Sequence, residues 1–203
     1  MNLAVFVSGR GSNLKALIDA EELKSLINIV AVVSNKSDCL AFEIAKKKSI
    51  DCFTVSNEVS SDSLLFTDLL EIFLEKKISL IVLAGFLKLI PAEFISSFEG
   101  KIINIHPALL PSFGGKGMFG MNVHKAVFNS SAKITGATVH FVDSIYDNVL
   151  IISQEAVDIS DVDSYEEIAE RVLNIEHKLL PFTVKKIAEN KIVIINKRVK
   201  ILD

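Results

Sequence analysis

The chain has 203 residues, half of them apolar, with 22 basic and 25 acidic side chains and a net charge of −3. That is enough apolar material for one sizeable core, and residues 1–203 are expected to form a single domain. The mild acidity argues against a basic nucleic-acid surface or a polybasic membrane anchor, and still allows a small anionic substrate to be held locally.

In chain order, LAVFV (3–7) is a short, unbroken apolar run bounded by SGRGSN, which predicts a fully buried strand. The segment lacks the basic start and the longer apolar run of a signal peptide. NLKALIDAEELKSL has helical spacing, INIVAVVS (27–34) is a second buried strand, LAFEIAKKKS a short helix, and DCFTVS a weaker strand. Leucine and phenylalanine recur at helical intervals over 61–77, and SLIVLAGF (79–86) is a fourth buried strand. PAEFISSFEG opens on proline and ends on glycine, as a short capped helix does. KIINIH is the fifth strand. Strands alternating with helices predict an α/β fold with a doubly wound, mostly parallel sheet.

The pattern then changes. GATVHFVDS and VLIISQEAVDI read as two strands joined by a turn around Tyr146, Asp147 and Asn148, an antiparallel extension of the sheet. Ser164 and Glu167 form a capping-box pattern at the start of a long helix that Pro181 is expected to kink or break. KIVIINKRVKIL predicts a terminal hairpin. SFGGKGMFGMNVH (112–124) holds four glycines without periodicity and reads as a mobile loop, with His124 exposed at its end. Cys39 and Cys52 have no CxxC spacing and read as reduced thiols of a cytoplasmic protein. ISLIVLAGFLKLI is interrupted by Lys88 and is too short to span a bilayer, so no membrane association is expected.

Three constellations could carry chemistry. In SGRGSNL, Gly9 and Gly11 permit a tight turn, and Ser12 and Asn13 stand where a helix begins. This is either a plain helix cap or an anion site made by free N–H groups and the helix dipole. In KIINIHPALLPSF, Asn104 and His106 are two apart on a strand and project to one face, and Pro107 ends the ladder. Ligands of open α/β sheets bind outside the carboxyl ends of the strands, where both motifs fall. Asp147 matters only if it reaches His106, which spacing does not reveal; otherwise it is a turn aspartate. No spacing suggests a metal site, and His140 alternates with apolar residues as a structural histidine would.

VSGRGSNL, VLAGFLKLI, INIHPALLPSF, TVHFVD and the EH..LP pattern occur in the order found in the glycinamide ribonucleotide formyltransferases, which the chain resembles over nearly its whole length. The resemblance implies a Rossmann-like formyltransferase fold and transfer of a formyl group from 10-formyltetrahydrofolate to the amine of 5-phosphoribosylglycinamide, in a monomer or homodimer without a metal. It implies that Asn104, His106 and Asp147 are the catalytic trio, that Gly11, Ser12 and Asn13 hold the substrate phosphate, and that Pro107 and Glu176 contact the ribonucleotide. It places Leu87, Lys88, Leu89 and Ile90 on one side of the folate with Asn104, and Asp143, Ser144, Ile145, Tyr146 and Asp147 on the other. The chain departs from the family in DNVLIIS, where a glycine-rich turn is usual after Asp147, in a longer loop over Ser112–Val123, and in Leu64, which stands where a basic residue is frequent.

Methionyl-tRNA formyltransferases share the NIHP core and add a basic RNA-binding module, for which this acidic chain gives no sign. Formyltetrahydrofolate hydrolases use the same trio on water, usually behind a small regulatory domain, whereas strand one here begins at Leu3. A nucleotide- or phosphate-binding protein without chemistry would have no use for Asn104, His106 and Asp147 together, although the altered turn after Asp147 favours it.

Overall fold

The computed structural model describes residues 1–142 and 150–203. The strands are β1 (Asn2–Val7), β2 (Asn28–Ser34), β3 (Asp51–Ser56), β4 (Leu64–Leu65), β5 (Leu80–Leu83), β6 (Ile102–His106), β7 (Ile134–Phe141), β8 (Ile151–Asp158), β9 (Ile192–Ile195) and β10 (Arg198–Ile201). The α-helices are α1 (Ser12–Asp19), α2 (Ala41–Lys46), α3 (Phe66–Glu75), α4 (Ala92–Ser97), α5 (Met121–Asn129) and α6 (Tyr165–Ala188). The main sheet has eight strands in the order β4-β3-β2-β1-β5-β6-β7-β8, and β9 and β10 form a separate antiparallel pair. Pairings from β4 through β6 are parallel, and β7 with β8 is antiparallel. The expected α/β architecture with an antiparallel extension is therefore present.

The described chain forms two compact units. One holds Met1–Asn104 with Phe141 and Val142, and the other holds Ile105–His140 with the chain from Leu150 onward. In the first unit, every side chain from Leu3 to Val7 is buried. Successive strand residues point to opposite faces, so this run needs cover on both sides. On one face Ala4, Phe6, Ala31, Val33, Ile81 and Leu83 join a core with residues of α3 and α4. Aromatic edges meet faces there: Phe6 lies 5.2 Å from Phe86 and 6.0 Å from Phe73, and Phe66 lies 5.2 Å from Phe94, in T-shaped pairs. Rings at such spacing gain from their quadrupoles as well as from burial. The expected helix over 61–77 starts later, at Phe66, because Leu64 and Leu65 pair with β3 as a short strand. The Asp68 carboxylate accepts from the Leu65 N–H at 3.1 Å and fixes that start.

In the second unit, α6 packs on α5 and β8. The Ser164 hydroxyl accepts the Glu167 N–H at 3.2 Å, as the capping pattern predicts. Helix α6 runs through Pro181 without the expected break. Leu180 and Val184 are fully buried around the proline, so tertiary packing outweighs the loss of one N–H. Thr183, one turn on from Leu179, donates to that residue's carbonyl at 2.7 Å and accepts from the Ser153 hydroxyl at 2.6 Å. This ties α6 to β8.

Gly136 on β7 lies opposite Ala156. A Cβ at Gly136 would stand 2.0 Å from the Glu155 carbonyl oxygen and 2.8 Å from a Leu109 methyl. Backbone cannot yield as a flexible side chain does. Gly136→Ala should therefore destabilise the protein by about 3 kcal/mol, at the upper end of overpacking costs. The midpoint of urea unfolding measures it, and an unchanged midpoint would contradict the close approach.

Candidate active site

The first unit carries the glycine loop. Gly11 is the N-cap of α1, with φ 76° and ψ 29°. An added Cβ there would meet the Ala41 Cβ at 2.7 Å, so both backbone conformation and the neighbouring α2 require glycine. Gly9 has open space around it and a φ outside the left-handed region, so the turn rests on Gly11 alone. No side chain caps α1, and its first turn has no acidic residue. The leading N–H groups, from Ser12 and Asn13 onward, are the donors an anion would use. Cys39 is buried, and its thiol donates to the Gly9 carbonyl at 3.3 Å, which pins the start of the loop.

Segment 87–90 follows β5 in the same unit. Leu87, Lys88 and Leu89 are exposed and Ile90 is buried. Leu89 is 73% exposed, an apolar side chain turned toward solvent. The Leu87 N–H donates to the Ser8 hydroxyl at 3.0 Å, and Asn57 Nδ2 donates to the Leu89 carbonyl at 3.4 Å. Asn104 pairs in register with Leu83 and is half-buried on β6.

The second unit begins at Ile105 and carries His106, which is buried. Its Nε2–H donates to the Phe113 carbonyl at 2.9 Å. In a neutral ring that contact makes Nε2 the protonated nitrogen and Nδ1 the basic one. Burial lowers the imidazole pKa from its usual range, and the Phe113 carbonyl acts in the opposite sense. Asp147, expected to complete the trio, and Asp143, Ser144, Ile145 and Tyr146, expected beside the folate, lie outside the described residues. Pro107 is half-buried, and Glu176 is buried on α6.

Sequence reading missed the group that shapes the turn after His106. The Thr138 hydroxyl donates to the Ala108 carbonyl at 2.7 Å and accepts from the Leu110 N–H at 3.1 Å. Gln154 Nε2 reaches both Thr138 Oγ1 and the Leu110 carbonyl at 2.9 Å. Every hydrogen-bonding capacity of that hydroxyl is used, and Thr138 is fully buried. Threonine in an alternating strand carries no signal of this role. The irregular part of the glycine-rich segment is also shorter than expected. Its last residues from Met121 open α5, and His124 is buried rather than exposed. The helix supplies an inward face to Val123, His124 and Val127, which the glycines before it concealed. Among the described residues, no group of His, Cys, Asp and Glu could hold a metal ion, and no helix is long and apolar enough to cross a membrane.

A formyl transferase family profile matches residues 1–184. The chain belongs to the formyl transferase family. It is 43% identical over 94% of its length to the chloroplastic phosphoribosylglycinamide formyltransferase of Arabidopsis thaliana, and 44% identical over 94% to that of Vigna unguiculata. It spans 66% and 62% of the length of those two proteins. The crystal structure of phosphoribosylglycinamide formyltransferase from Anaplasma phagocytophilum superposes with a TM-score of 0.89 at 34% identity, covering 100% of this chain and 95% of that one. The family assignment agrees with the resemblance read from SGRGSN and NIHP.

Burial, and repulsion from His106 second, push the His124 pKa from 6.5 to about 4. Its Nδ1 has no hydrogen-bond partner among the described residues. His124 should therefore stay neutral at pH 7, and its imidazole resonances should titrate near 4. The unfolded chain takes up this proton first as pH falls. The His124 contribution should then destabilise the fold progressively between 6.5 and about 4. His124→Gln should flatten that part of the stability–pH curve; a titration midpoint near 6.5 would refute the burial argument.

Proposed function

We propose that the protein transfers the formyl group of 10-formyltetrahydrofolate to the amine of 5-phosphoribosylglycinamide, a step of de novo purine synthesis. The observation that carries this reading is likeness over almost the whole chain to enzymes of that one activity. A family match that runs through both units supports treating 1–203 as one formyltransferase domain. Formyl-folate serves as co-substrate, and the partners are small molecules rather than nucleic acid or membrane. The thiols of Cys39 and Cys52 are free, which suits a reducing compartment such as the cytoplasm.

The roles are those that the family resemblance implies, and the chemistry agrees with them. The substrate amine attacks the formyl carbon and makes a tetrahedral oxyanion. Collapse breaks the bond from that carbon to the folate nitrogen, which takes a proton as the amine loses one. Asn104 donates a hydrogen bond to the oxyanion, and His106 stabilises it as a proton donor. Asp147 supplies the carboxylate that favours the protonated imidazole and relays the amine proton through water. The N–H groups at Gly11, Ser12 and Asn13 bind the substrate phosphate, and Pro107 and Glu176 contact the rest of the ribonucleotide. Backbone groups of Leu87–Ile90, with Asn104 and the Asp143–Asp147 segment, receive the folate.

Mixing the protein with formyl-folate, with and without the ribonucleotide, tests the reading. Formyl transfer that requires the ribonucleotide supports it. Formate release without the ribonucleotide would indicate a hydrolase instead, and no turnover would indicate a binding protein.

Asn104→Ala should slow turnover by about two to three orders of magnitude, the scale of a lost oxyanion donor, with folding nearly intact. Normal turnover per folded molecule with collapsed stability would make Asn104 a structural residue.

A further inference from the structure

The Ser8 side chain is placed to do more than end a strand. It is 5% exposed, so its hydroxyl cannot exchange its partners freely for water. The Oγ–H donates to Asn35 Oδ1, and the oxygen accepts the Leu87 N–H at 3.0 Å. The Ser8 backbone N–H donates to the Gly85 carbonyl at 3.1 Å. One residue thus grips segment 85–87 through both main chain and side chain. Gly85, at φ 79°, lets the chain turn back between these two contacts.

Ser8 is also the residue directly before Gly9-Arg10-Gly11. Asn35, the acceptor of its proton, follows β2, and Cys39 from the same connection holds the Gly9 carbonyl. The beginning of the glycine loop and the beginning of segment 87–90 are therefore both anchored on one buried hydroxyl and its partners. All of these atoms lie within the first unit.

We infer that Ser8 is a positioning residue that couples the phosphate-holding loop to the folate-receiving segment, so that both co-substrates bind to loops set by one hydrogen-bonded junction. This rests on the roles proposed above for Gly11–Asn13 and Leu87–Ile90. Ser8 itself touches neither substrate. Its removal leaves the Leu87 N–H and the Asn35 amide oxygen without this partner, and partly buried groups that lose a partner relax by moving the backbone that carries them. A loop that drifts presents its donors to the ligand at lower occupancy and raises KM.

The test is steady-state kinetics of Ser8→Ala with each substrate varied in turn, beside Ser8→Thr and Asn35→Ala. Ser8→Ala should raise the KM of both the ribonucleotide and formyl-folate, each by about fivefold, the scale of one net hydrogen bond, with kcat per folded molecule largely kept. Ser8→Thr keeps the hydroxyl and should restore both KM values. A purely structural serine would lower the folded fraction and move neither KM. If Ser8→Ala does not fold, Asn35→Ala removes only the acceptor and should raise both KM values by a smaller factor; unchanged values would overturn the inference. A rise confined to one substrate would also overturn it. An inactive wild-type protein would sink the proposed function and this inference together. An active wild type with Ser8→Ala kinetics unchanged would sink the inference alone.

Discussion

The structure of the first unit depends on the parallel ladder of β1 between β2 and β5. Leu3 to Val7 are buried on both faces, so water cannot satisfy the backbone of this strand. Its N–H and C=O groups must pair with the flanking strands, and they do, over the registers Asn2–Val7 with β2 and Leu3–Phe6 with β5. Because the pairing is parallel, the loops that follow these strands leave at one edge. That edge receives the SGRGSN loop, the Asn35–Cys39 connection and segment 85–90. The buried polar side chains described in the unit, Ser8, Asn13 and Ser34, stand at that edge.

Local chemistry then fixes each loop. Gly11 turns in the left-handed region against Ala41, which leaves the first N–H groups of α1 uncapped by any side chain. Helices α2, α4 and α5 likewise lack a side-chain cap, so the lack of one does not set α1 apart. In the second unit the same economy holds around His106. The ring is fixed through the Phe113 carbonyl, and the intervening turn is fixed by Thr138 and Gln154. A buried imidazole with a lowered pKa is neutral at rest, and it needs a nearby negative charge or a developing oxyanion to favour its protonated form.

The elements that long buried runs specify were legible from the sequence: β1, β2, β5, β6 and the antiparallel pair β7–β8. Each is an apolar or alternating run of the right length, bounded by turn residues. Boundaries were less so. Leu64 and Leu65 look helical by spacing and are strand because β3 offers them a ladder. Pro181 looks like a break and is not, because its neighbours are buried along α6. His124 follows four glycines and looks exposed, yet it faces inward because α5 starts three residues before it.

The sequence by itself determined the fold class, the glycine at the head of α1, the Asn104–His106 pair on one strand, and the family to which they belong. These are set by periodicity, by backbone conformation and by residue identity, all of which are local. Tertiary structure alone decided the partners of each polar group. Asn35 and Leu87 stand 27 and 79 residues from Ser8, and Thr138 stands 30 residues from Ala108. No periodicity links such positions. A hydroxyl or amide becomes an anchor only when burial removes water as its alternative partner, and burial is a property of the packed chain.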